Sequence, residues 1–286
     1  MTDDARKAIA DVLALLDLEL IEENIYRGVS PPGRLQRVFG GQVAGQALVA
    51  ATRTVEPSRI CHSLHAYFLR PGDPRIPILY EVDRSRDGRS FSVRRVVAIQ
   101  NGKQIFILAA SFQTPEQGYE HQFPMPDVPP PESLEDEIEV RRKDPGQIPE
   151  LLREWLTQAR PFEVRPVILD PPGDRPPRPP YNNIWFRAAG PVPAALTQAL
   201  LAYASDSSLL STSLLPHGKG IFSNLQVASL DHAMWFHRPF RFDDWLLYAQ
   251  DSPSGSGARG FNRGAIYLRD GTLVASVAQE GLIRPR

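Results

Sequence analysis

Asp206 closes the run Leu200-Leu201-Ala202-Tyr203-Ala204-Ser205-Asp206, which puts a carboxylate where an apolar helix emerges. Asp is common at helix ends as a cap or turn residue, so a chemical role needs partners. Two polar residues on neighbouring strand-like runs are candidates. Ser229 lies in Gln226-Val227-Ala228-Ser229-Leu230-Asp231-His232, and Gln279 lies in Val277-Ala278-Gln279-Glu280-Gly281. Taken singly, each reads as a satisfied polar side chain on a half-exposed strand. Either gains a chemical role only if the fold brings it to Asp206.

Other motifs carry less. Gly255-Ser256-Gly257-Ala258-Arg259-Gly260 has the glycine spacing of a dinucleotide site. The strand-like Phe261-Asn262-Arg263-Gly264-Ala265-Ile266-Tyr267 follows it, whereas a phosphate site needs a helix N-terminus there. The stretch therefore reads as a glycine-rich turn before a strand. No Gly-x-Ser-x-Gly elbow, His-Glu-x-x-His pair or P-loop occurs. His62 and His65, three apart on a strand, point to opposite faces, as do His232 and His237 on a continuous strand, so no metal site is expected. No cofactor is expected either.

The 286 residues, 42% hydrophobic, can form one large or two smaller cores. The 32 basic and 33 acidic residues are interspersed, which gives no footprint for nucleic acid or an anionic membrane. Cys61 is the only cysteine, so no intrachain disulfide can form. Val12 to Leu20 is interrupted by Asp17 and Glu19 and resembles neither a signal peptide nor a membrane span. The ending Ile283-Arg284-Pro285-Arg286 is no peroxisomal address, so the expected compartment is the cytoplasm.

The elements that must position Asp206, Ser229 and Gln279 come in two sets. Sixteen of the 28 prolines fall between Pro115 and Pro180, which marks a connection with one short helix at Ile148 to Ala159, built on Leu151, Leu152, Trp155 and Leu156. The flanking segments repeat each other at an offset of 166 to 170 residues. Leu64-His65-Ala66-Tyr67-Phe68-Leu69-Arg70-Pro71 parallels Asp231-His232-Ala233-Met234-Trp235-Phe236-His237-Arg238-Pro239, and Ala109-Ala110-Ser111-Phe112-Gln113 parallels Ala275-Ser276-Val277-Ala278-Gln279. Each unit opens with an all-round apolar helix, Gly41 to Thr54 and Pro193 to Ala204, and continues with strands.

In the first unit the strands are Ile60 to Leu69, Ile76 to Val82, Phe91 to Gln100 and Gln104 to Phe112, with turns at Asp87-Gly88 and Asn101-Gly102. In the second they are Asn224 to His232, Trp245 to Ala249, Ala265 to Leu268 and Leu273 to Leu282, with a turn at Asp270-Gly271. A buried helix beside a bent antiparallel sheet, twice over, predicts an α+β double hotdog whose sheets join edge to edge. The expected division is a first repeat at 1–114, a linker at 115–182 and a second repeat at 183–286.

Several stretches resemble the type II acyl-CoA thioesterases (TesB-like), a double hotdog family. They include Val38-Phe39-Gly40-Gly41-Gln42, His62-Ser63-Leu64-His65, Tyr203-Ala204-Ser205-Asp206, Pro216-His217-Gly218, Gln279-Glu280-Gly281 and, most specifically, Asp231-His232-Ala233-Met234-Trp235-Phe236-His237-Arg238-Pro239. The resemblance spans about residues 25 to 283. It implies hydrolysis of acyl-CoA to an acid and CoA by a water that Asp206, Ser229 and Gln279 hold, without an acyl-enzyme. The carboxylate would take the water's proton while hydroxyl and amide aim it at the thioester carbon.

Amides near the start of a hotdog helix could serve the oxyanion, and Gly40-Gly41 would admit the substrate closely. His62 resembles a family histidine near the site. The first repeat shows Gln113 opposite Gln279, His62 in place of Ser229, and Arg53-Thr54-Val55 without a carboxylate, so one complete site per chain is expected. Arg34, Arg37, Arg259 and Arg263 are candidates for CoA phosphates.

Two other readings fit the fold: a noncatalytic acyl-CoA binder, and a hydratase or dehydratase using Asp231-His232, whose adjacent side chains face opposite ways on a strand. The expected partners are acyl-CoA and further copies of the chain, as a dimer or tetramer.

Overall fold

The computed structural model describes residues 2–286 except 32–36, 145, 147, 149 and 172, with Leu151 described by its backbone alone. Arg34 and the Leu151 side chain thus lie outside the described residues.

The chain opens with α1 (Asp3–Leu16), which the sequence reading did not anticipate although its signals are present. Thr2 Oγ1 accepts from Ala5 N, Asp3 and Asp4 face the positive helix end, and Ile9, Val12 and Leu16 are buried at helical spacing. The first repeat follows as β1 (Glu19–Glu22), β2 (Ile25–Gly28), α2 (Gly40–Thr52), β3 (Ile60–Phe68), β4 (Ile78–Asp87), β5 (Phe91–Gln100) and β6 (Lys103–Gln113). The proline-rich stretch holds α3 (Glu137–Lys143), α4 (Glu150–Thr157) and β7 (Phe162–Pro166). The second repeat is β8 (Tyr181–Ala188), α5 (Thr197–Ser205), β9 (Leu225–Ser229), β10 (Asp231–Phe236), β11 (Leu246–Ser256), β12 (Arg259–Leu268) and β13 (Leu273–Pro285).

The strands form one antiparallel sheet, in the order β1-β2-β4-β5-β6-β3-β10-β13-β12-β11-β8-β7, with β9 pairing β13. The halves join where β3 pairs β10, from Asp231↔Tyr67 to Trp235↔Ser63. Two edges that would otherwise lie open are thereby closed. The turns follow their residues: Asn101-Gly102 takes φ of 48° and 68°, and Gly257-Ala258 takes 56° and 60°. The Gly255–Gly260 stretch is therefore a hairpin turn between β11 and β12.

Helix α2 is buried from Gly41 to Ala51, enclosed by its sheet on one side and by α5 on the other. Glycines set how closely the helices pass. A Cβ at Gly45 would stand 2.9 Å from Ala199 O, and one at Gly41 would run into Tyr203 O. Positions 41 and 45 thus meet 203 and 199, so the helices run antiparallel and the start of α2 lies against the end of α5.

The proline-rich segment does more than connect. Met125, Val128 and Leu134 pack on Trp185, Trp245, Leu247 and Tyr267, and Trp185 Nε1 donates to Pro129 O at 2.9 Å. It covers the outer face of the second repeat's sheet. Two helices, each buried in its own half of a shared sheet, make the molecule a double hotdog.

Candidate active site

The antiparallel contact of α2 and α5 seats Asp206, the residue after α5, at the N-terminus of α2. A Cβ at Gly40 would lie 2.7 Å from Asp206 Oδ2, so glycine makes room for the carboxylate. The amide of Gly41 donates to that carboxylate, which also feels the positive end of α2. Gly40 and Gly41, expected to line the site, thus both border Asp206, and the Gly41 amide is engaged by its carboxylate.

Asp206 Oδ1 accepts from Gln279 Nε2 at 2.6 Å and from Ser229 Oγ at 3.2 Å. Burial pushes the carboxyl up to about 6, against the opposing hydrogen bonds from Gln279, Ser229 and Gly41 and the charge of Arg37. A base that changes form near neutrality results.

A bulge aims the strand residues. Ser229 pairs with Gly281, whereas Ala233 pairs with Ala278, so the register slips by one between β9 and β10. The predicted continuous strand from Asn224 to His232 is thus two strands broken at Leu230. The extra residue turns Ser229 and His232, three apart, to the same inner face, which an unbroken strand forbids.

His232 is fully buried and links Gln279 to α5. Gln279 Nε2 lies 3.1 Å from His232 Nδ1, and His232 Nε2 lies 2.9 Å from Ser205 Oγ. Burial lowers this imidazole to about 4, so it is neutral at physiological pH. Ser205 and His232 look like a nucleophilic pair, but Ser205 is fully buried and its hydroxyl donates to Ala202 O at 3.0 Å. Asp231 turns the other way and accepts from Glu280 N, so Asp231 and His232 do not act together. Asn262, on β12 opposite Gln279, donates to Gly260 O and the Gln279 carbonyl. Among the described residues, the buried Gln279 Oε1 and Asn262 Oδ1 have no partner.

Sequence reasoning named Asp206, Ser229 and Gln279, and the fold brings them together. It missed His232 and Asn262, because nothing in a linear strand pattern reveals a bulge or a cross-strand pair. His62 lies elsewhere. Its Nε2 bonds Ser111 Oγ at 2.8 Å and its ring meets Phe91, while Gln198 at the start of α5 binds Cys61 O. The Asp206 end of β3 is marked by Phe68, six residues and about 20 Å along the strand. Of the candidate arginines, Arg259 pairs with Glu280 and Arg263 with Asp251, whereas Arg37 donates to Val227 O beside the site.

The first repeat differs more than the sequence comparison suggested. Matching Arg70-Pro71 to Arg238-Pro239 aligns Phe68 with Phe236. These pair with Phe106 and Ala275, so Gln279 corresponds to Ala110 and His232 to Leu64, while Gln113 falls outside the inner row. Since Arg94 pairs with Ala110 as Asn262 pairs with Gln279, Arg94 takes the place of Asn262. Fully buried, Arg94 donates to Thr54 Oγ1, Thr54 O, Arg86 O and Asp87 Oδ1. Arg53 follows α2 as Asp206 follows α5. A guanidinium fills the first repeat where the second keeps a carboxylate and two amides.

Fold and site together define a double hotdog protein with a buried carboxylate at a helix–helix junction, and comparison gives its class. Residues 152–282 match the acyl-CoA thioesterase family and residues 30–113 match the acyl-CoA thioesterase N-terminal domain. The chain is 44% identical to acyl-CoA thioesterase 2 of Haemophilus influenzae over 277 residues, 96% of this chain and 97% of that protein. It is 44% identical to acyl-coenzyme A thioesterase 8 of Homo sapiens, covering 96% of this chain and 88% of the other. The crystal structure of acyl-CoA thioesterase II TesB2 from Mycobacterium marinum superposes with a TM-score of 0.79 at 44% identity, covering 96% and 98% of the two chains. The chain belongs to the acyl-CoA thioesterase family. Among the described residues, no helix is long and apolar enough to cross a membrane.

Proposed function

We propose that the protein hydrolyses fatty acyl-CoA to free acid and CoA, with a water held by Asp206, Ser229 and Gln279 attacking the thioester directly. The carrying observation is the convergence of Gln279 Nε2 and Ser229 Oγ on Asp206 Oδ1, at 2.6 and 3.2 Å. Asp206 takes the water's proton as oxygen attacks the carbonyl carbon. The tetrahedral intermediate then collapses to the carboxylic acid as the C–S bond breaks, and the CoA sulfur leaves with the proton that Asp206 took from the water, which returns Asp206 to its carboxylate form.

A carboxylate held near 6 by burial suits this role, since it is ionised at neutral pH yet basic enough to accept a proton. The buried Ser205 hydroxyl speaks against a covalent route. The reading extends to a cytoplasmic protein and to a homo-oligomer, dimer or tetramer; the assembly is supported by β1 and β7, which leave the sheet with two edges. Light scattering that gave the mass of one chain would overturn that part.

The test is Asp206→Asn assayed for thiol release from acyl-CoAs of graded length. Loss of about 10²- to 10⁴-fold in kcat is expected. Unchanged turnover would remove Asp206 as the base, and a wild-type protein that binds acyl-CoA without hydrolysing it would favour a carrier.

A further inference from the structure

Gln279 is the least constrained member of the site by its own chemistry. Its amide can turn over and exchange Oε1 for Nε2 at almost no internal cost. If the carbonyl oxygen faced Asp206, two acceptors would meet and the group facing the water would change from acceptor to donor. What decides the orientation lies behind Gln279.

We propose that His232 is a positioning residue that locks the Gln279 amide, with Nε2 toward Asp206 and Oε1 free for the attacking water. This rests on the water-holding role proposed above and adds to it. The tautomer follows from the chain of bonds. Ser205 has one hydroxyl hydrogen, and it goes to Ala202 O at 3.0 Å, so Ser205 Oγ accepts from His232 Nε2–H at 2.9 Å. Nδ1 then carries the lone pair and accepts from Gln279 Nε2 at 3.1 Å. Asp206 Oδ1 takes the second amide hydrogen at 2.6 Å. Both donors of the amide are therefore used, and Oε1 is left buried and, among the described residues, without a partner. Turning the amide over would set Oε1 against two acceptors at once.

The first repeat provides an internal comparison. Where His232 faces Gln279 across β10 and β13, Leu64 faces Ala110 across β3 and β6. Both members are apolar in the half whose helix ends in Arg53 in place of a carboxylate. The imidazole and the amide occur together, where there is a carboxylate to serve.

The experiment uses the full chain, with thiol release from a medium-chain acyl-CoA, on His232→Leu, His232→Asn, Gln279→Ala and the Leu/Ala double variant. His232→Leu should lower kcat about 10- to 100-fold with KM within about twofold, because amide orientation matters to attack and not to substrate capture. In the Gln279→Ala background the same change should cost less than about twofold, since there is no amide left to orient. His232→Asn places Oδ1 near the position of Nδ1 and should recover activity to within about fivefold of wild type.

An unchanged kcat in His232→Leu would overturn the proposal, as would a full independent loss in the Gln279→Ala background. If His232→Leu does not fold, His232→Asn compared with His232→Gln decides: Asn should work and Gln, whose oxygen reaches the Nε2 position, should not. Equal activity of those two would also refute it. An active Asp206→Asn enzyme would mean that the water-holding reading itself has failed, whereas an inactive one beside a fully active His232→Leu would sink the positioning role alone.

Discussion

At Asp206, burial and function pull in opposite directions. The carboxyl moves from 3.8 to about 6, so the folded state favours the protonated form and ionising it costs stability. That cost is absent below about pH 4 and complete above about pH 6. Asp206→Asn should therefore be more stable than wild type at pH 8, by on the order of 1–2 kcal/mol since the residue is only partly buried, and show no gain at pH 4. Calorimetry at both pH values checks this, and a gain that persists at pH 4 would point to another cause. Activity moves the opposite way. The base form is lost as pH falls through 6, so kcat/KM should drop about tenfold per pH unit below that point. A profile flat down to pH 5 would contradict Asp206 as the titrating group.

Helix α2 meets α5 through small residues, and that contact sets the reach of the carboxylate. Gly41→Ala forces a Cβ into Tyr203 O, which is backbone and cannot swing aside. A loss of about 1–3 kcal/mol in stability, with a fall in kcat, is expected from urea unfolding and assay together. Gly40→Ala meets the side chains of Asp206 and Phe68 instead, so it should cost more in activity than in stability. The reverse order in the two variants would show that the glycines serve some other end. Arg94 anchors the equivalent position in the first repeat. Arg94→Met should destabilise by about 2–3 kcal/mol, less than for a wholly buried ion pair because Asp87 is 45% exposed, and should leave KM unchanged.

On the scale of the molecule, the two repeats share one sheet and one helix–helix contact. Their sheets share the β3–β10 seam, and each helix buries one side on the other half. A chain cut to 1–114 would expose Leu64 and the facing side of α2, so it should be insoluble or unfolded alone. Coexpression with 115–286 should restore thiol release if the seam re-forms. A soluble, cooperatively melting 1–114 fragment would show instead that the repeat is a self-sufficient domain.

Much of this was legible in the sequence, because hydrophobic period and turn chemistry act locally. The all-round apolar Gly41–Thr54 run could only be an enclosed helix, and Asn101-Gly102 and Asp270-Gly271 marked their hairpins. Family motifs singled out Asp206, Ser229 and Gln279. The sequence could not show that a bulge at Leu230 reverses the facing of one strand segment. Nor could it show that Gln279 corresponds to Ala110 and not to Gln113. Register depends on which strands pair, and a shift of one residue exchanges the two faces of a sheet. Linear order alone therefore determined the framework and the chemical groups, while the tertiary pairing decided which groups share a face, and with that the place of His232 beside Gln279.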